Sequence, residues 1–197
     1  MERADNGGAV DGPPDIHSYL LPITIVVAGV TVLAFGLGSL SLRSHEIYVA
    51  VPVREMFATG DFIVPRYGGT PRLEKPPLAY WSAALSTWVC GRLTEWTVRL
   101  PSFIAAIGLA FVIRLWARRW YGAIAGWGAF AVQVSSVYAV LYARRAEIDI
   151  QLCLLTTSTL FLISADFTES STHREFRWFI IYGLLTLSWL AKFHYGP

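Results

Sequence analysis

Charge is scarce in this sequence, and the scarcity has a pattern. Of 197 residues only 15% are Asp, Glu, Lys or Arg, against about a quarter in an ordinary soluble chain. A soluble domain of this length needs a polar skin, and a chain that is 54% hydrophobic lacks one. The net charge of +2 supplies no strong basic field, which argues against nucleic acid as a partner. Cysteine is equally sparse. Cys90 and Cys153 stand far apart in apolar surroundings with no metal-ligand or redox spacing, and they read as buried thiols rather than a disulfide. No basic segment precedes the first apolar run, and that run is too long for the core of a signal peptide.

What the chain has instead is a series of long apolar runs with almost no charge. "ITIVVAGVTVLAFGLGSLSL" fills 23–42, and twenty residues at 1.5 Å each reach about 30 Å, the thickness of a hydrocarbon core. Further runs occupy 100–113 (extending to 116 or 117), 120–143, 148–165 and 178–191. Lipid offers backbone groups no partner, so each is expected as a helix. Trp116, Trp120 and Trp178 near run ends suit interfacial belts. The expected fold is therefore an all-α integral membrane protein with about five transmembrane helices. A tail over 1–22, polar through residue 18 and containing Gly-Gly and Pro-Pro, precedes one membrane unit over 23–197.

The link over 43–98 is unusual for its length and content. "HEIYVAVPVREMFATGD" mixes apolar and charged positions and reaches Gly60, a helix stop. It is expected as a juxtamembrane helix lying on the surface. "FIVPRYGGTPRLEKPP" reads as an ordered loop, and "LAYWSAALSTWVCGRL" as a second interfacial or re-entrant helix, too short to span.

Four polar groups flank the runs: His45 and Glu46; Glu74 and Lys75; Arg144, Arg145, Glu147 and Asp149; and Lys192 with His194. With five crossings, all four fall on one side of the membrane. Each group alone reads as a solvated flank, and Asp149 alone as a helix cap. Together they form a candidate site for a negatively charged, lipid-linked substrate, with cations for phosphate and a carboxylate to take a proton. Orientation is open on charge counting. The loop side holds ten basic residues and the other side six, which prefers the loop inside.

Residues 45–86 carry "REM", "GD", "VP" and "EKPPL" followed by "YW", and "RLPS", "RRAEID" and "LAKFHYGP" come later. This combination resembles the polyprenol-phosphate-sugar-dependent glycosyltransferases, typified by the aminoarabinose transferases of lipid A and the protein O-mannosyltransferases. The resemblance implies a membrane fold of the GT-C type in the inner or plasma membrane. It places the amino terminus in the cytoplasm and the 43–98 loop on the extracytoplasmic face, against the charge count. It implies a polyprenyl-phosphate sugar donor and a lipid A, protein or glycan acceptor.

Carried over by position, the resemblance makes Glu46 the acid of the first-loop pair, with His45 where the family usually has Asp. Asp149 matches an acidic position of the second loop, with Glu147 as fallback. These three acids are the expected catalytic candidates. Lys75, Arg144, Arg145, His45 and Lys192 are expected to bind substrate. Glu74 and His194 are the candidates for a divalent metal. Family members have about twice as many spans, so the chain is expected to be an amino-terminal portion that can lack activity alone. The competing expectation is a membrane scaffold or a piece of a transporter, which would place charges or broken helices at the bilayer midplane.

Overall fold

Runs rich in Leu, Ala, Ile, Val and Phe close their hydrogen bonds within one segment, and the chain is mostly helical. The computed structural model describes residues 16–39, 41–168 and 174–192. Helix α1 spans Ile16–Ala34, α2 Ser44–Thr59, α3 Leu78–Cys90 and α4 Glu95–Ser135. Helices α5 (Val137–Ala143), α6 (Asp149–Thr168) and α7 (Arg174–Ala191) follow.

Helix α4 is two arms rather than one rod. Gly122 adopts φ 87°, ψ 179°, a backbone region in which a side chain is strained. A Cβ built on Gly126 would lie 2.9 Å from the carbonyl oxygen of Arg114. Twelve residues of straight helix would separate those positions by about 18 Å, so the chain doubles back. The reversal falls three residues beyond Arg118-Arg119, where charge alone set the boundary. The third run is also interrupted. Ser136 is extended at φ −65°, ψ 139°, and its hydroxyl accepts from the N–H of Ala139 at 3.2 Å to start α5.

By length and composition, one helix among the described residues, Glu95–Ser135, can cross a membrane. Leu20–Ala34 and Asp149–Ala165 are shorter apolar helices. The helices pack through small side chains, with Leu33 of α1, Ala105, Ala106, Leu109 and Phe130 of α4 and Ala143 of α5 in one core. A second core joins Val53 and Met56 of α2, Tyr80 and Ala83 of α3, and Val98 of α4. Large apolar residues remain uncovered outside these cores, among them Ile124 (90% exposed) and Phe179 (75%). Both cysteines are free and exposed rather than buried. Beside Cys90 the apolar neighbours Trp88 and Val89 are exposed as well, whereas Leu152 and Leu154 beside Cys153 pack against the cores and leave the thiol on the outer face.

The 43–98 link follows its expected plan with one addition. Helix α2 stops at Gly60 in the left-handed region, φ 74°. Within the expected loop, β1 (Arg66–Tyr67) and β2 (Thr70–Pro71) pair antiparallel around Gly68-Gly69, whose φ values of 61° and 79° suit a tight hairpin turn. The Glu55 carboxylate clamps the tip, accepting from Gly68 N at 2.8 Å and Gly69 N at 3.2 Å. Trp81 of α3 donates its Nε1–H to the carbonyl of Phe62 at 2.8 Å. The loop is tied to both helices that flank it.

Candidate active site

Each of the four polar groups sends at least one residue to a single cavity of about 460 Å³. Helix α2 contributes His45 and Tyr48, and the turn into α3 contributes Glu74 and Lys75 ahead of Pro76. The α5–α6 connection brings Arg145, Glu147 and Asp149, and the end of α7 brings Lys192. The double proline fixes the backbone just where the loop becomes helix, so Glu74 and Lys75 are presented from a stiff segment. His194 lies outside the described residues.

Charges on this cavity are paired in a regular way. Lys192 Nζ sits 3.1 Å from Asp149 Oδ1, and Arg145 Nη1 is 3.8 Å from Glu147 Oε1. Arg72 reaches Glu74 Oε2 at 2.9 Å while its guanidinium lies over the Tyr48 ring, 4.4 Å from the centroid. Among the described residues no ion pair engages Lys75 or His45. Tyr80, 1% exposed, has a hydroxyl without a hydrogen-bond partner among the described residues. Burial pushes its phenol up.

Two expected site residues are placed elsewhere. Glu46, expected as a catalytic acid or base, is 2% exposed and does not line the cavity. Arg99, 3% exposed, donates to it twice, Nε to Oε1 at 2.7 Å and Nη2 to Oε2 at 2.9 Å. The N–H of Arg43 donates to Oε2 at 2.9 Å and the N–H of Ala146 to Oε1 at 3.0 Å. Burial raises the affinity of this carboxyl for a proton, but Arg99 and the two amides outweigh it and hold the group below the usual carboxylate range. With both oxygens occupied, Glu46 is a structural anchor. Arg144, expected to bind substrate, instead donates Nη2 to the carbonyl of Val32 and lies 5.9 Å from the Phe35 ring centroid, against α1 and the turn after it.

Sequence reasoning missed three residues that shape the site. Arg99 read as a charge flanking the second run, yet it also donates to the carbonyls of Leu37 at 2.8 Å and Ser41 at 3.3 Å. Ser102 donates its hydroxyl to the carbonyl of Glu147 at 3.0 Å, so the second loop is pinned at Ala146 and at Glu147. Arg72 orients Glu74. The available signal was "RLPS", which the resemblance included without a role. No three His, Cys, Asp or Glu converge among the described residues, and Glu74 is turned toward Arg72.

Comparison with known proteins agrees with this architecture. A relative from Sodalis glossinidius, an undecaprenyl phosphate-alpha-4-amino-4-deoxy-L-arabinose arabinosyl transferase, is 39% identical over 92 residues, 42% of this chain and 16% of that protein. The crystal structure of ArnT from Cupriavidus metallidurans in the apo state superposes with a TM-score of 0.82 at 23% identity, over 89% of this chain and 33% of that one. The same protein bound to undecaprenyl phosphate gives a TM-score of 0.75 at 24% identity, over 87% and 32%. The chain thus spans about a third or less of these proteins, and the structural likeness establishes the fold. Residues 74–196 match the sequence model of the dolichyl-phosphate-mannose-protein mannosyltransferase family. That match covers more than half of the chain, and the chain belongs to this family.

Proposed function

We propose that this chain forms the amino-terminal membrane portion of a glycosyltransferase that moves a sugar from a polyprenyl-phosphate donor to a lipid, protein or glycan acceptor. Lys75 carries the reading. Each cavity carboxylate has its own cation, through Arg72, Arg145 or Lys192, and among the described residues Lys75 is a cation on the wall with no carboxylate paired to it. Such a group suits an anionic phosphate. An apolar groove of about 440 Å³ is lined by Leu78, Leu85, Ile104, Leu154 and Leu187, and α3 contributes to both, Leu78 to the groove and Ala79 to the cavity. A cavity with Lys75 on its wall and a separate apolar groove on the same helix suit a phosphate with a long isoprenoid tail. The relatives named for undecaprenyl-phosphate donors and the neighbour bound to undecaprenyl phosphate support the same donor class.

Five crossings accommodate the fold: α1, the two arms of α4 with α5 extending the second, α6 and α7. The amino terminus is then cytoplasmic and the cavity extracytoplasmic. The acceptor hydroxyl or amine attacks the anomeric carbon while the polyprenyl phosphate leaves. Lys75, with Arg145 on the wall of the same cavity, meets the charge that grows on the departing oxygen. The transporter reading has the break at Ser136 in its favour. Ser136 satisfies Ala139 within the break itself, however, and the charged groups gather at the cavity instead.

The test is binding of undecaprenyl phosphate to protein purified from the complete reading frame. Lys75→Ala is expected to weaken binding about tenfold to a hundredfold, the range for losing one charged contact, with an unchanged melting temperature. Wild-type affinity in that variant refutes the proposal.

A further inference from the structure

We propose that the His45 imidazole accepts the proton of the incoming nucleophile; this rests on the transferase reading above. Four side chains on the cavity wall can take up a proton: His45, Glu74, Glu147 and Asp149. The three carboxylates are each committed to a cation, at 2.9 Å for Glu74, 3.8 Å for Glu147 and 3.1 Å for Asp149. Protonating any of them discharges its ion pair. His45 is exposed on that wall, and among the described residues no hydrogen bond or ion pair engages its ring. A neutral imidazole is the side chain best suited to general-base work near pH 7.

The mounting of His45 is stiff. It sits in the first turn of α2 beside Glu46, whose carboxylate is gripped by Arg99, Arg43 N and Ala146 N. The backbone that carries the ring is thus anchored at the cavity wall. Charges of both signs share the cavity with the ring. From the turn before α3 come Glu74 and Lys75, with Tyr80 behind them; from the second loop come Arg145, Glu147 and Asp149. Lys192 closes the set from α7, and Tyr48 stands on the ring's own helix.

The step balances without further reagents. The acceptor O–H or N–H bond breaks and its proton goes to an imidazole nitrogen. The freed electron pair forms the bond to the anomeric carbon, the bond from that carbon to the phosphate oxygen breaks, and polyprenyl phosphate carries away that electron pair. The imidazolium then returns its proton to water.

The test compares His45→Ala and His45→Asp with wild type, each from the complete reading frame in proteoliposomes. Undecaprenyl-phosphate aminoarabinose is the donor and lipid A the acceptor, and undecaprenyl phosphate binding is measured alongside. His45→Ala is expected to bind undecaprenyl phosphate like wild type while transfer falls about 100-fold or more, the usual share of a general base. Added imidazole should restore part of the rate. His45→Asp is expected to keep measurable transfer with the acid limb of its pH–rate profile moved to lower pH, since a carboxyl group is a stronger acid than an imidazolium. Full transfer by His45→Ala, or an unmoved acid limb in His45→Asp, overturns the assignment and leaves the transferase reading standing. A wild-type protein that neither binds nor transfers overturns both.

Discussion

Removing the Arg99 guanidinium gives the sharpest physical test of the site's frame. Arg99→Met keeps the aliphatic stem and deletes both bonds to Glu46 and the bonds to the Leu37 and Ser41 carbonyls. Glu46 is left as a carboxylate 2% exposed. Breaking a buried pair from one side costs about 3–5 kcal/mol, and two carbonyls losing donors add about 1 kcal/mol each. The amides of Arg43 and Ala146 remain on the carboxylate and offset part of this, so the expected loss is about 4 kcal/mol, close to a thousandfold in the unfolding constant. Denaturant titration in micelles followed by Trp fluorescence reads it. Glu46→Gln combined with Arg99→Met removes the orphaned charge and should recover about 2 kcal/mol relative to Arg99→Met alone. A single variant within about 1 kcal/mol of wild type, or a double variant no better than the single, refutes the account of a buried pair. The pH dependence has a definite sign. Glu46 sits below its ordinary value of 4.5, so its contribution is complete above that pH and is lost as pH falls through the lowered folded value. Glu46→Gln should flatten that acid limb.

Two further outcomes follow from packing and from the loop. A Cβ on Gly29 would stand 2.8 Å from Val134 Cγ2, so Gly29→Leu should push α1 off α4 and lower the melting temperature, and Val134→Ala should restore part of it; equal melting of Gly29→Leu and wild type excludes close contact there. Glu55→Ala frees the Gly68 and Gly69 amides at an exposed site, with a stability change of about 1 kcal/mol or less but faster hydrogen exchange across 66–71, and unchanged exchange there rules out the clamp.

Much of the fold was legible because helices announce themselves by composition. The runs, the α2 stop at Gly60 and the α3 segment each depend on residues close in sequence. The meeting of the polar groups followed from counting crossings. The Glu46–Arg99 pair did not, because its partners are 53 residues apart and an Arg at a helix start looks like any other flank. Arg144 and Arg145 are neighbours with the same side chain, and only the turn geometry sends one to α1 and the other to the cavity. The hairpin over 66–71 was read as loop, since two-residue strands carry no alternating pattern. The reversal at Gly122 was displaced by three residues because charge marks a membrane boundary, whereas backbone freedom marks the bend.

The Glu46 carboxylate also has a temporal meaning. A chain is made from its amino end, and Arg43, Glu46 and Arg99 are all available before residue 146 has been synthesised. The first-loop anchor can therefore close early, around a carboxylate that still has acceptor capacity on Oε1. The Ala146 amide, 100 positions downstream, fills that capacity only after the helical hairpin of α4 has been threaded. One side chain thus joins a contact available early in synthesis to one available only later, and through it the loop that brings Arg145, Glu147 and Asp149 to the cavity is fastened to the first loop.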